Sequence, residues 1–526
     1  MVLLKQQLRQ PAIIATVMNP VIRVKSGVLS GIDVVDVTIE TATHYAQMPN
    51  FMIVGLGDKA VDEAKERVKS AIRSSGFSLE PAKLVVNLTP AHIHKQGTQF
   101  DLGIALGILS SQESIPLTLP KDFLFIGELS LDGKIRHVTG ALPFVLHAKK
   151  RKYAGVIFPK DNLPEVSSIT GIDLYPVETL SQVIKEFTNQ HLPSPYPPQS
   201  FEPDAHEDFP IDFADVHGQE IAKRALEIAS AGGHNILLSG VPGAGKTMMA
   251  RAFVSILPPL TQEEAIELTQ IYSVANALGE DNHLVSTRPF RSPHHTTSLV
   301  GLIGGGSKPK PGEISLAHRG VLFLDEFAEF PRQMLESLRQ PLEDGKVSIA
   351  RASGSITYPS RFTLLAAVNP CPCGYRGSKK RQCVCQTTAI EKYQKRLSGP
   401  ILDRIDLHVH VSEVEVEKLA NHQTQGIENS QTIRDRVIKA RKQQHERFKE
   451  LKVHTNSELS SKLVKNHCFV EPEAEKVLLT AVDRLGLSTR TYFKMIKVAQ
   501  TIADLDGSKN ISVAHITEAL SYRPQS

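Results

Sequence analysis

The sequence predicts an α/β chain in three parts: an α/β N-terminal domain over 1–188, a central α/β domain built on a phosphate-binding loop over 211–410, and a helical C-terminal domain over 411–526. Three observations carry that expectation. β-like runs such as VVDVTIET, NFMIVG and KLVVNL alternate with helical patterns such as DEAKERVKSAIRSSG and DLGIALGILSSQ. The stretch ILLSGVPGAGKTMMA is an apolar strand running into G-x-x-x-x-G-K-T. Two polar breaks divide the chain: NQHLPSPYPPQSFEPDAHEDFP, an inter-domain linker over 189–210, and NHQTQGIENS over 421–430, which precedes a mostly helical tail.

A chain of 526 residues has room for two or three cores, and 41% hydrophobic with 22% charged residues is ordinary for a globular protein. The formal charge of +4 is too small to identify a nucleic-acid partner, so any basic surface must be local. No stretch reaches membrane-spanning length without charge, and the apolar start MVLLKQQLRQPAIIATVMNP is interrupted and has no cleavage site. The expectation is a cytoplasmic protein with no membrane partner, whose thiols stay reduced, so clustered cysteines favour a metal over disulfides. Cys468 stands alone and reads as a buried thiol. In the N-terminal domain, GLGDKA at Gly55 is not a full dinucleotide fingerprint and reads as a tight turn.

The phosphate-binding loop comprises Gly240, Val241, Pro242, Gly243, Ala244 and Gly245, followed by Lys246, Thr247 and Met248 at the start of a helix. Its glycines let successive backbone N–H groups converge on phosphate oxygens, Lys246 reaches the β- and γ-phosphates, and Thr247 ligates Mg²⁺. ATP and Mg²⁺ are the cofactors this implies. The apolar strand GVLFLDEF ends in Asp325, placed to hold the Mg²⁺ shell with Thr247, and Glu326, placed to polarise the attacking water. A third strand, FTLLAAVN, delivers Asn369 at its C-terminal end, where open α/β sheets put ligand-binding groups.

Between these strands, GLIGGGSKPKPGE breaks any helix and reads as an exposed loop carrying Lys308 and Lys310. LEDGKVSIARASGSITYPSRF reads as a β-hairpin with Lys346 and Arg351 on its arms. These four basic residues are DNA-contact candidates. His294 and His295 have no partner at a zinc-like spacing and read as ordinary satisfied histidines. After Asn369 comes NPCPCGYRGSKKRQCVCQ, with Cys371, Cys373, Cys383 and Cys385 around Arg376, Lys379, Lys380 and Arg381. The C-P-C and C-V-C pairs depart from the commoner C-x₂-C spacing, but four soft ligands suit a structural Zn²⁺. A redox pair or unmetallated thiols are the alternatives. The basic residues of this insert, 371–385, would contact DNA backbone without reading bases.

The order of these motifs resembles the AAA+ ATPases, in which Asn369 matches the sensor-1 position. GPILDRIDLHV resembles their arginine-finger region, with Arg404 matching, and LSTRTYFKMIKVAQTIADL resembles a sensor-2 helix, with Arg490 matching, in a helical lid. DFADVHGQEIAKRALEIASAGGHN resembles the segment that cradles adenine, with Val216 and Gln219 near the base. Taken together, GVPGAGKTMMA, RPFRSPHHTTS, GGGSKPKPGEISLAHRGVLFLDEF, RQPLEDGKV, AAVNPCPCGY, SGPILDRIDLHV and TIADL resemble the YifB/ComM family of bacterial magnesium-chelatase-like ATPases from about Met18 onward. That resemblance implies a homo-hexameric, ATP-driven helicase that promotes branch migration and integration of single-stranded DNA in natural transformation and homologous recombination. Its implied partners are single-stranded and branched DNA and recombination proteins.

The family's N-terminal region resembles the proteolytic domain of Lon, which needs a serine in a tight turn and a later lysine. Here KQGTQFDLGIALGIL has no serine in the turn and Phe144 stands at the best match to the lysine, so the expectation is a scaffold and DNA guide rather than a peptidase. The competing expectations are a protein-remodelling ATPase, against which stands the absence of an aromatic in GGGSKPKPGE, and an active protease using a serine such as Ser110.

Overall fold

The computed structural model describes residues 21–45, 49–112, 117–189, 194–201, 209–279, 284–307, 309–351, 354–397, 399–413, 428–451 and 453–524. Lys308, the apolar start of the chain, most of the polar break at 421–430 and part of the linker at 189–210 lie outside the described residues, as does the Arg351 side chain. The chain forms two compact units, residues 1–200 with 281–283 and residues 201–280 with 284–526.

The first unit is a mixed seven-stranded sheet. Its strands are β1 (Ile22–Ser30), β2 (Asp33–Tyr45), β3 (Asn50–Val54), β4 (Ala82–Thr89), β5 (Phe123–Phe125), β8 (Gly155–Pro159) and β9 (Asp173–Val177), in the order β3-β4-β2-β1-β5-β8-β9. The short pair β6 (Glu128–Leu129) and β7 (Ile135–Arg136) forms its own ladder. The helix Asp101–Ser110 is apolar on all sides and nearly every residue of it is buried. Gly103 and Gly107, one turn apart, let it close on the sheet: a Cβ at either would sit 2.6 Å from Ile39 Cδ1 or Thr41 Oγ1. Phe144, on the helix Ala141–Arg151, is fully buried, and Ser110 Oγ is buried with no hydrogen-bond partner among the described residues.

The second unit is a parallel sheet of β10 (Ile236–Gly240), β11 (Phe290–Arg291), β14 (Val321–Leu324), β17 (Thr363–Val368) and β18 (Leu407–Val411), ordered β11-β14-β17-β10-β18. Both faces are covered, so its strands are apolar without alternation. The two-residue period still sorts them. Val321, Phe323, Leu365 and Ala367 join one core, whereas Leu322, Leu324, Leu364 and Ala366 join the other. Each fully buried Leu or Phe contributes roughly 1.5–3 kcal/mol. The helices Ser430–Arg447, Thr489–Leu505 and Val513–Ser521 pack into the first of these cores.

Two small hairpins stand on this frame. The glycine triplet ends the helix Leu299–Ile303 at Gly304 (φ +103°), then β12 (Gly304–Gly305) pairs with β13 (Lys310–Pro311), so the expected loop has a short ladder at its root. β15 (Lys346–Arg351) pairs antiparallel with β16 (Gly354–Pro359). Tyr358, wholly buried, donates to Pro309 O at 2.9 Å and ties the hairpins together.

Candidate nucleotide site

β10, β14 and β17 are parallel neighbours, so their C-terminal ends bring Gly240, Asp325 and Asn369 to one edge of the sheet. The loop after β10 turns through Gly243 (φ +78°) and Gly245 (φ +90°), left-handed conformations that favour glycine. A Cβ at either would meet nothing within 4 Å, so backbone conformation rather than crowding demands glycine there. Lys246 opens the helix Lys246–Ala252 and curls back over the loop. Its Nζ donates to Gly240 O at 2.6 Å, Val241 O at 3.0 Å and Asn369 Oδ1 at 3.1 Å. Burial pulls its ammonium pKa below the usual lysine value, against the attraction of Asp325 and Glu326. Lys246 is thus a cation held by neutral oxygens, an arrangement suited to an incoming anion.

Thr247 Oγ1 donates to Asp325 Oδ2 at 2.9 Å, which places a hydroxyl and a carboxylate together as a divalent-cation shell requires. Asp325 Oδ1 accepts from the Glu326 N–H at 2.9 Å. Glu326 sits at φ +50°, uncommon for a residue with a Cβ, and its half-exposed carboxylate lies 3.5 Å from His295 Nδ1. His295 in turn stacks on His294, with ring centroids 4.0 Å apart, and meets Phe330 edge-on. Sequence reasoning missed this neighbour of Glu326, because no ligand-like spacing marks His295. Val241, Ala244 and Val216 are buried, Met248 is partly exposed, and Gln219 at φ +62° donates to Ser412 O beyond the end of β18.

The structure does not bring Arg404 and Arg490 to this edge. Asn235, just before β10, donates to Arg404 O at 3.1 Å, so Arg404 lies at the opposite end of the strand that delivers the loop. Five strand residues separate the two ends, about 16 Å at strand rise. Arg404 and Arg490 instead line a cavity of about 600 Å³ and meet there at Glu343.

The four clustered cysteines are brought together. Sγ separations are 3.4 Å for Cys371 and Cys373, 3.7 Å for Cys371 and Cys383 and 3.6 Å for Cys373 and Cys383, and all four sulfurs lie within 4.8 Å of one another. Tetrahedral Zn–S bonds of about 2.3 Å put sulfurs about 3.8 Å apart, so the set fits a Zn²⁺-sized ion. Without an ion, backbone N–H groups, first that of Tyr375, hold the Cys373 thiol below its usual pKa, while the Cys383 and Cys385 thiols are held above theirs. Gly374 (φ +84°) presses this loop against the phosphate-binding loop, since a Cβ there would sit 2.6 Å from Pro242 Cγ. Arg376, Lys379, Lys380 and Arg381 are exposed, with Arg381 stacked 4.3 Å over Tyr375. Lys310 and Lys346 are exposed on the tied hairpins.

Comparison with known proteins gives three family profiles in chain order. "Subunit ChlI of Mg-chelatase" matches residues 39–162, "Magnesium chelatase, subunit ChlI" residues 212–419, and its C-terminal profile residues 427–523. The chain is 42% identical to competence protein ComM of Haemophilus influenzae over 492 residues, 93% of this chain and 94% of that protein. It is 40% identical to YifB of Salmonella typhimurium, covering 94% of this chain and 95% of the relative. It is 39% identical to Mb2921c of Mycobacterium bovis, covering 95% and 98%.

Proposed function

Because the chain belongs to the ComM/YifB family of magnesium-chelatase-like AAA+ ATPases, we propose that it is a homo-hexameric, ATP-driven DNA translocase of the cytoplasm. Its work is branch migration and integration of single-stranded DNA in natural transformation and homologous recombination. The observation that carries the ATPase part is the meeting of Lys246, Thr247, Asp325 and Asn369 at one sheet edge with Glu326 alongside.

On this reading, Lys246 gives up Gly240 O, Val241 O and Asn369 for the β- and γ-phosphates of ATP, while the loop N–H groups hold the phosphate oxygens. Thr247 and Asp325 hold Mg²⁺. The bound ion supplies positive charge against the phosphate oxygens. Release of Asn369 from Lys246 frees its amide to orient the water, and Glu326 takes that water's proton. Val216 and Gln219 flank the base. Arg404 serves the nucleotide of a neighbouring subunit, which makes a ring the active form.

For DNA, the support is the exposed Lys310 and Lys346 on two hairpins tied by Tyr358, and the competence role named for the Haemophilus relative. Arg351 closes the strand β15, and Lys308, outside the described residues, is proposed as a further contact from its place in the sequence between Gly306 and Lys310. Arg376, Lys379, Lys380 and Arg381 ride on the cysteine loop, which touches the phosphate-binding loop at Pro242 and so links a DNA contact to the nucleotide site. The chelatase profile favours a second reading, protein remodelling. ATP turnover separates them. Single-stranded or forked DNA should raise it about tenfold at 50 mM salt, with most of the gain lost at 200 mM. Stimulation by unfolded protein but not by DNA would replace the DNA reading.

Zn²⁺ is the ion proposed for the four cysteines. Elemental analysis of the purified chain should give about one zinc per chain, lost when Cys371 and Cys383 become serine. Zinc content unchanged by that double substitution would refute the clip.

A further inference from the structure

Glu343 is the next-to-last residue of the helix Arg339–Asp344, which Gly345 (φ +64°) closes. Its Oε1 accepts from two arginines of distant origin: Arg404 Nη2 at 2.6 Å, from the loop before β18, and Arg490 Nη2 at 2.8 Å, from the first turn of the helix Thr489–Leu505. Two guanidinium cations that share one oxygen are neighbours and repel unless an anion lies between them. The Arg404 side chain is 8% exposed: Nη1 donates to Pro400 O, Nη2 to Glu343, and its buried Nε has no partner among the described residues. Arg490 is 48% exposed, and its one hydrogen bond among those residues goes to Glu343. Each terminal guanidinium nitrogen carries two N–H groups and these contacts use one apiece, so both arginines keep N–H donors, and a guanidinium can bind a carboxylate on one edge and a phosphate on another.

The surroundings hold this arrangement in place. Lys494, one turn beyond Arg490 and buried, donates to Ile405 O at 2.8 Å and so binds the Arg404 loop to the same helix face. Farther along, Thr501 meets His234, which also contacts Asp406 two residues after Arg404. The helix and the loop thus form one body, and Glu343 is the anion at its open end.

We propose that Glu343 is a positioning residue that gathers Arg404 and Arg490 into one clamp for the terminal phosphate of a nucleotide held by a second copy of the chain. The chain's own phosphate-binding loop lies at the other end of β10, beyond reach of either arginine. This rests on the ATPase reading above and deepens it. Arg404 and Arg490 touch the phosphate, and Glu343 acts only through them.

The test uses the full chain. Glu343→Gln should lower kcat for ATP at least tenfold, because phosphate donors that are misplaced lose much of their effect. KM should stay within about twofold, because the chain's own loop still binds ATP. Co-expression of Glu343→Gln with Lys246→Ala should then restore turnover above that of either variant alone. In such mixed assemblies, a Glu343→Gln subunit's loop faces intact arginines on a Lys246→Ala neighbour. If Glu343→Gln fails to fold, Glu343→Asp keeps the charge with a shorter reach and should show a smaller loss with the same recovery on mixing. Wild-type turnover in Glu343→Gln overturns the proposal, and so does loss without recovery, which would mean that Glu343 serves its own subunit. Absence of ATP turnover in the wild type would instead sink the ATPase reading.

Discussion

Lys246→Ala is expected to abolish ATP turnover, with a loss of at least ~10²–10³, the range for removing one well-placed donor to developing charge. Lys246 is the one ammonium among the described residues that reaches the loop carbonyls and Asn369 together, so no neighbour can substitute. Nucleotide binding should weaken as well, since the same group meets the phosphates in the ground state. The fold should survive. Gly240 O and Val241 O lose a donor, but β10, which ends at Gly240, keeps its ladders to β17 and β18 on both sides. A thermal melt close to wild type, together with lost turnover, would assign the effect to chemistry.

Glu326→Gln should separate binding from hydrolysis. The substitution keeps the shape and removes the base, so turnover should fall by ~10²–10⁴ while ATP binding persists. Asp325 keeps its contacts to Thr247 and to the backbone at 326, so the Mg²⁺ shell proposed for it stays assembled. Filter binding should therefore find ATP retained on the variant. Turnover at the wild-type rate would remove Glu326 from the role of base and leave Asp325, or a residue outside the motif, to supply it.

What was legible in the sequence follows a physical rule. Gly243, Gly245, Lys246 and Thr247 work through local backbone geometry, so spacing along the chain records them. Asp325 and Asn369 were legible because each ends an apolar strand, and parallel strands put such ends together. Glu343 was not. Its partners are 61 and 147 residues away, and neither propensity nor period encodes their meeting. His295 beside Glu326 and Gly374 against Pro242 were hidden for the same reason. In the first unit, VVDVTIET and KLVVNL read as strands, but the order β3-β4-β2-β1-β5-β8-β9 depends on crossovers that composition does not fix. The glycine triplet read as an open loop because nothing local announces that Gly304 and Gly305 pair with Lys310 and Pro311.

ATP hydrolysis at this site is proposed to move DNA strands. A labelled three-strand junction, incubated with the purified chain, tests it most directly. ATP-dependent displacement of the labelled strand is expected from wild type and none from Lys246→Ala. Wild-type protein that hydrolyses ATP at a rate indifferent to DNA and leaves the junction intact would contradict it.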